Sequence, residues 1–136
     1  MGAHFGAVLI VTFLATPALA AGVLPFTGAF GNAGGCHLFN TGEVPGDDFA
    51  VLTPDTFSSY GTGCDFDALL SLDKGVATVS AICHSEGEAG AEKTTVEIID
   101  HGTDGYSIRF DAQDEFGPYL ACPPADLALP SGTVQL

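Results

Sequence analysis

Apolar and polar side chains alternate along much of the chain, which is the pattern of half-buried strands. Phe66, Ala68, Leu70 and Leu72 predict one strand face. Ala77, Val79 and Ala81 predict the apolar face of the next strand, with Asp73-Lys74-Gly75 as the turn between them. Thr94, Val96 and Ile98 share a face; Tyr106, Ile108 and Phe110 share another, with Ser107, Arg109 and Asp111 opposite. The connection Asp100-His101-Gly102-Thr103-Asp104-Gly105 is turn chemistry. Upstream, Leu24, Phe26, Gly28 and Phe30 alternate, and Phe49-Ala50-Val51-Leu52 is a short apolar run before Thr53-Pro54-Asp55. Pro118-Tyr119-Leu120-Ala121-Cys122 predicts an edge strand with Pro at its beginning, where a missing N–H does least harm. Past the amino terminus no window of about ten residues has a helical period, and Gly31-Asn32-Ala33-Gly34-Gly35 reads as a flexible loop. Six to eight short strands at about ten-residue spacing predict an all-β fold, a small antiparallel barrel or sandwich. Tight turns favour an up-and-down meander over a Greek key.

The first twenty residues have a different logic. An apolar run from Gly6 to Ala15 is followed by Thr16-Pro17 and then by Ala18-Leu19-Ala20, the layout of a secretory signal peptide cleaved after Ala20. The run is too short for a membrane span, which needs about 20 residues. It lacks a Lys or Arg ahead of it, so an uncleaved amino-terminal anchor is the alternative. The expected organisation is a signal peptide over 1–20, a single domain over 21–123 and a flexible, Pro-containing tail over 124–136.

Export changes how the four cysteines are read. Cys36, Cys64, Cys83 and Cys122 all follow the cleavage site, and an even count in a small exported chain implies a disulfide framework. In a hairpin that matches apolar faces, Leu70 pairs with Ala77, Ala68 with Val79 and Phe66 with Ala81. That ladder places Cys64 opposite Cys83, at a separation a disulfide spans. Gly75 also suits a three-residue loop with a bulge, which shifts the register by one unless a second bulge restores it. Cys36 and Cys122 remain to tie the start of the domain to its end, a loop closure worth about 4 kcal/mol in the chain-entropy account. The competing reading is a metal held by Cys36-His37 and Cys83-His84, but no pair has C-x-x-C spacing.

Charge narrows the function classes. The 136 residues carry 17 acidic and 3 basic side chains, a formal charge of −14. Three cations cannot supply the phosphate contacts that nucleic-acid binding needs, and anionic lipid surfaces are disfavoured for the same reason. A field of this sign steers cations and basic protein surfaces, and it is also common in proteins of saline habitats.

Candidate chemistry is sparse. Asp100, Asp104 and Asp111 stand at loop positions one, five and twelve with Gly105 at six, as in an EF-hand loop, but position three is Gly102 and the flanks read as strands. A hairpin turn is the plainer reading. Asp47-Asp48, Asp114-Glu115, Glu86 and Glu88 are candidates to converge on a cation, against the alternative of solvated acidic loops. His84 and Glu86 fall two apart on one strand face, the spacing of an acid-base pair or of an ordinary surface pair. No nucleophile elbow, P-loop, dinucleotide fingerprint or zincin motif is present. No cofactor is implied.

The order Gly28-x-Phe30, Cys36, Tyr60-x-x-x-Cys64-x-Phe66, Cys83-His84-Ser85-Glu86-Gly87-Glu88 and Tyr119-x-x-Cys122 resembles a set of small exported four-cysteine β-proteins of Gram-negative bacteria. Many of those have Trp where Phe30 stands. The resemblance implies export and disulfide use, and no activity.

The sequence therefore points to a secreted or periplasmic, non-enzymatic binding or structural module. Its acidity favours a basic protein partner, with inhibition of a cationic enzyme such as a lysozyme as the concrete form. The alternatives are a small apolar ligand carrier of lipocalin-like type, its cavity lined from among 10 Phe and 3 Tyr, and a divalent-cation-binding module. Intact mass of the exported protein is expected to correspond to a chain beginning at Ala21, short of four hydrogens and inert to thiol alkylation. Free thiols on a chain still beginning at Met1 would overturn both export and bridging.

Overall fold

The computed structural model describes residues 22–111 and 114–125, together with Gly2, Ile10 and Thr12. Apart from those three residues the expected signal peptide lies outside the described residues, as does the tail beyond residue 125.

Strand β1 (Phe30–Gly31) is followed by helix α1 (Ala33–Thr41), and then come β2 (Ala50–Leu52), β3 (Thr56–Ser59), β4 (Thr62–Asp73) and β5 (Val76–Ser85). The chain continues through β6 (Glu92–Asp100), a 3-10 turn (Gly102–Asp104), β7 (Tyr106–Phe110) and β8 (Asp114–Tyr119). Each strand pairs antiparallel with the next, in one sheet of order β1 to β8, the expected meander. The sheet curls into a nearly closed barrel. Phe30 bridges Ala121, the Gly31 N–H donates to the Leu120 carbonyl at 3.0 Å, and the Cys122 N–H donates to the Ala29 carbonyl at 2.8 Å. Both expected disulfides are formed, Cys36–Cys122 across this seam and Cys64–Cys83 between β4 and β5.

The β4–β5 register combines expectation and correction. Cys64 pairs with Cys83 and Phe66 with Ala81, as the matched faces require. Beyond Phe66, however, Ala68 pairs with Ser80, Leu69 with Val79 and Leu72 with Ala77, in place of Ala68 with Val79 and Leu70 with Ala77. The cause is the turn. Lys74 and Gly75 adopt φ of 51° and 77°, a two-residue hairpin connection with both central residues left-handed, and it pairs Asp73 with Val76. Two register shifts, between Phe66 and Ala68 and between Leu69 and Ser71, reconcile that end with the disulfide end. They also break the expected apolar face of β4: Leu69 in place of Leu70 stands in the inner phase opposite Val79, and Leu70 is 58% exposed, whereas Leu72 returns to the inner phase opposite Ala77 beside the turn.

Helix α1 is a second correction, because its glycine-rich start was expected to be a loop. Asn32 caps it, its side-chain oxygen accepting from the Gly35 N–H at 2.8 Å and from the Ala50 N–H at 2.9 Å. Gly34 and Gly35 are there for proximity. A Cβ at Gly35 would stand 1.9 Å from the Ala50 carbonyl oxygen, and one at Gly34 2.2 Å from that of Asp48. A third correction concerns the last strand. It begins at Asp114, so Pro118, joined to Gly117 by a cis peptide bond, lies near its end.

Register places Phe57, Cys64, Phe66, Ala77, Val79 and Ala81 on the inner face, with Val96, Ile98 and Ile108 across from them. All are buried. At the end holding the β4–β5 and β6–β7 turns, residues 22–29 cross the barrel. The Leu24 N–H donates to the Pro54 carbonyl at 2.9 Å, and the Phe26 ring lies 4.7 Å from Tyr106 and 5.0 Å from Phe30. We call this end the base.

Gly35→Ala is expected to destabilise the fold by about 1–3 kcal/mol in urea unfolding, because overpacking against the Ala50 backbone outweighs the helix propensity gained. Unchanged or raised stability would show that α1 and β2 tolerate a wider spacing.

Candidate functional site

At the other end, the mouth, the inner face changes character. The phase that buries Val96 and Ile98 runs back through Thr94 to Glu92, and the phase of Ala77 to Cys83 runs on to Ser85. Opposite Ser85 stands Thr62, and opposite Thr62 stands Ser59. These inward positions surround a cavity of about 420 Å³. Aromatic rings line it: the Phe57 ring lies 5.9 Å from Phe110 and 6.4 Å from Tyr119, and Phe110 lies 6.0 Å from Phe116, which is itself 47% exposed. The cavity wall carries the hydroxyls of Ser59, Thr62, Ser85 and Thr94, and its rim the carboxylates of Glu88, Glu92 and Asp111. Burial first, and the Asp48 carboxylate second, raise the Tyr119 phenol above its ordinary pKa, so it stays protonated and able to donate. A volume of this size falls at the lower end of ligand pockets, about 300–1,000 Å³.

The chain's cations stand elsewhere. Lys93 is one residue out of phase with Glu92, so it faces outward, 3.9 Å from Asp67. Arg109 donates to Glu97 across β6 and β7 at 2.6 Å, and Lys74 occupies the base turn between β4 and β5.

A serine, a histidine and a carboxylate meet on the outer face. Ser107, fully buried, donates its hydroxyl to Glu115, and His101 Nε2 lies 2.7 Å from the Ser107 Oγ and 3.1 Å from the Glu115 Oε1. With Ser107 donating to the carboxylate, its oxygen is left to accept from His101, which puts the proton on Nε2. That is the reverse of an activated nucleophile, which must give its proton to the imidazole. The group ties the β6–β7 turn to β8.

The remaining sequence candidates fall apart in space. The length of β7 separates Asp100 and Asp104, at its start, from Asp111, past its end, by roughly 17 Å of strand. Asp100 accepts from the Gly102 N–H at 2.8 Å, as a turn residue does. Among the described residues no three His, Cys, Asp or Glu side chains are grouped to hold a metal ion, and no ion pair joins His84 to Glu86. Cys36 and Cys83 are in disulfides, so neither is a thiolate ligand. Among the described residues no helix is long and apolar enough to cross a membrane.

Fold and cavity together define an eight-stranded meander barrel, crossed at its base by residues 22–29, which leave a smaller cavity of about 280 Å³ against Ala77 and Ile98, and open at an aromatic, acid-rimmed mouth. The chain matches no protein family model, no curated protein and no solved structure.

The outer-face group has a pH signature. The Ser107 hydroxyl holds the Glu115 carboxyl below its ordinary 4.5, with burial opposing and with His101 and Arg109 adding to the lowering. A depressed folded-state pKa contributes stability above the unfolded value and loses it as pH falls through the folded one. Glu115→Gln is therefore expected to lower the urea midpoint at neutral pH and to flatten its decline under acid. An acid limb as steep as in the wild type would refute the assignment.

Proposed function

We propose that the protein is an exported, non-enzymatic binding module that holds a small ligand with an apolar body in the mouth of its barrel. The observation that carries this is the cavity itself: about 420 Å³, lined by the rings of Phe57, Phe110 and Tyr119 with the half-exposed Phe116 beside them, at the end of the barrel opposite residues 22–29. Aromatic faces contribute large apolar area with few rotamers to immobilise, and the hydroxyls above them supply orienting hydrogen bonds. Export rests on the signal-like opening and on two disulfides, which persist in oxidising compartments. A non-enzymatic role is in keeping with the Ser107 hydroxyl being committed to Glu115.

A second reading, capture of a basic protein, is favoured by the formal charge of −14. It requires retention of a basic enzyme at low salt that fades as salt is added.

For the cavity reading, naphthylmethanol, a neutral two-ring probe, is expected to raise the melting temperature by about 5 °C at a concentration about ten times its Kd. Thr94→Trp, which fills the mouth, is expected to abolish the shift. Equal shifts in both proteins would move binding away from the cavity, and no shift in the wild type would remove the reading.

A further inference from the structure

Resting on the mouth cavity as a ligand site, we propose that its ligand is an organic cation: an aromatic or alkyl body carrying a protonated amine or a quaternary ammonium. Two features of the cavity converge on this class. Phe57, Phe110, Phe116 and Tyr119 gather four aromatic rings along the cavity, and the negative quadrupole of a ring face attracts an ammonium as well as an apolar body. The rim supplies formal negative charge from three separate elements. Glu92 begins β6 on the inner face opposite Cys83, Glu88 lies in the β5–β6 connection, and Asp111 follows β7.

No Lys or Arg lines the cavity to balance these carboxylates. A fatty acid or other organic anion would bring a like charge against three carboxylates grouped around one concavity. A neutral ligand would use the rings and leave the rim without a partner. A cationic ligand uses both, with its body on the rings and its ammonium between Glu88 and Glu92.

The test is calorimetry on the disulfide-intact chain with three probes sharing one body: naphthylmethylamine, naphthylmethanol and naphthoate. The amine is expected to bind about tenfold tighter than the alcohol, with naphthoate weakest, and added salt is expected to erode only the amine's advantage. Glu92→Gln is expected to weaken the amine far more than the alcohol and so bring the two affinities close; should that variant fail to fold, Glu88→Gln carries the same comparison. Asp67→Asn, on the outer surface, is expected to alter neither. An alcohol as tight as the amine in the wild type would overturn the cationic assignment while the cavity reading stands. Binding of none of the three would overturn both.

Discussion

An open sheet leaves a row of unpaired N–H and C=O groups along each edge, and here the two edges are the first and last strands of the sheet, β1 and β8. Their mutual satisfaction makes the barrel. β1 is only two residues long, and the closing contacts are a single bridge and two flanking backbone hydrogen bonds. So thin a seam depends on the Cys36–Cys122 disulfide beside it. That bridge closes a loop with a sequence separation of 86, against 19 for Cys64–Cys83, and the chain-entropy account gives the longer loop about 1 kcal/mol more stabilisation. Helix α1 belongs to the same device. It carries Cys36 to the seam, and Asn32 and Gly35 let its first turn rest on the β2 backbone.

Closure gives the barrel two unlike ends. At the base the chain returns over its own opening, and Phe26, Phe30 and Tyr106 interlock edge and face. Burial there raises the Tyr106 phenol above its ordinary pKa, and Asp100 adds to the effect. At the mouth the inward positions become Ser59, Thr62, Ser85 and Glu92, polar side chains of which Ser59 donates to the Thr62 carbonyl at 3.2 Å. Here the apolar layers stop at aromatic rings.

Much of this is written in residue order. The period-two pattern marks β5, β6 and β7, and matched faces on either side of Asp73-Lys74-Gly75 place Cys64 against Cys83. The β4 bulges were not readable, since they arise where a turn with two left-handed residues conflicts with a disulfide register set ten residues away. Helix α1 was hidden because its glycines have low helical propensity and are present for close approach to Ala50, which is distant in sequence. The mouth was partly visible: Glu92 stands in phase with Thr94, Val96 and Ile98, a carboxylate continuing an apolar face. What sequence lacked was the meander's alternation of ends, which brings Glu92, Ser85 and Phe110 to one opening, and the packing that sets Tyr119, opposite Tyr106 in register, among the cavity's lining.

Acidity throughout the chain has a generic explanation in solubility and saline habitat, so the argument for function turns on placement. A solubilising carboxylate is most effective on the outer face, where Asp65 and Asp67 are exposed. Glu92 is exposed as well, but its register with Cys83 sets it on the inner phase, at the rim of the cavity. The basic side chains show the complementary pattern, with Lys93 and Arg109 paired on the outside and Lys74 at the far turn. General acidity would draw cations toward the whole surface. An inward carboxylate above aromatic rings gives that attraction a destination.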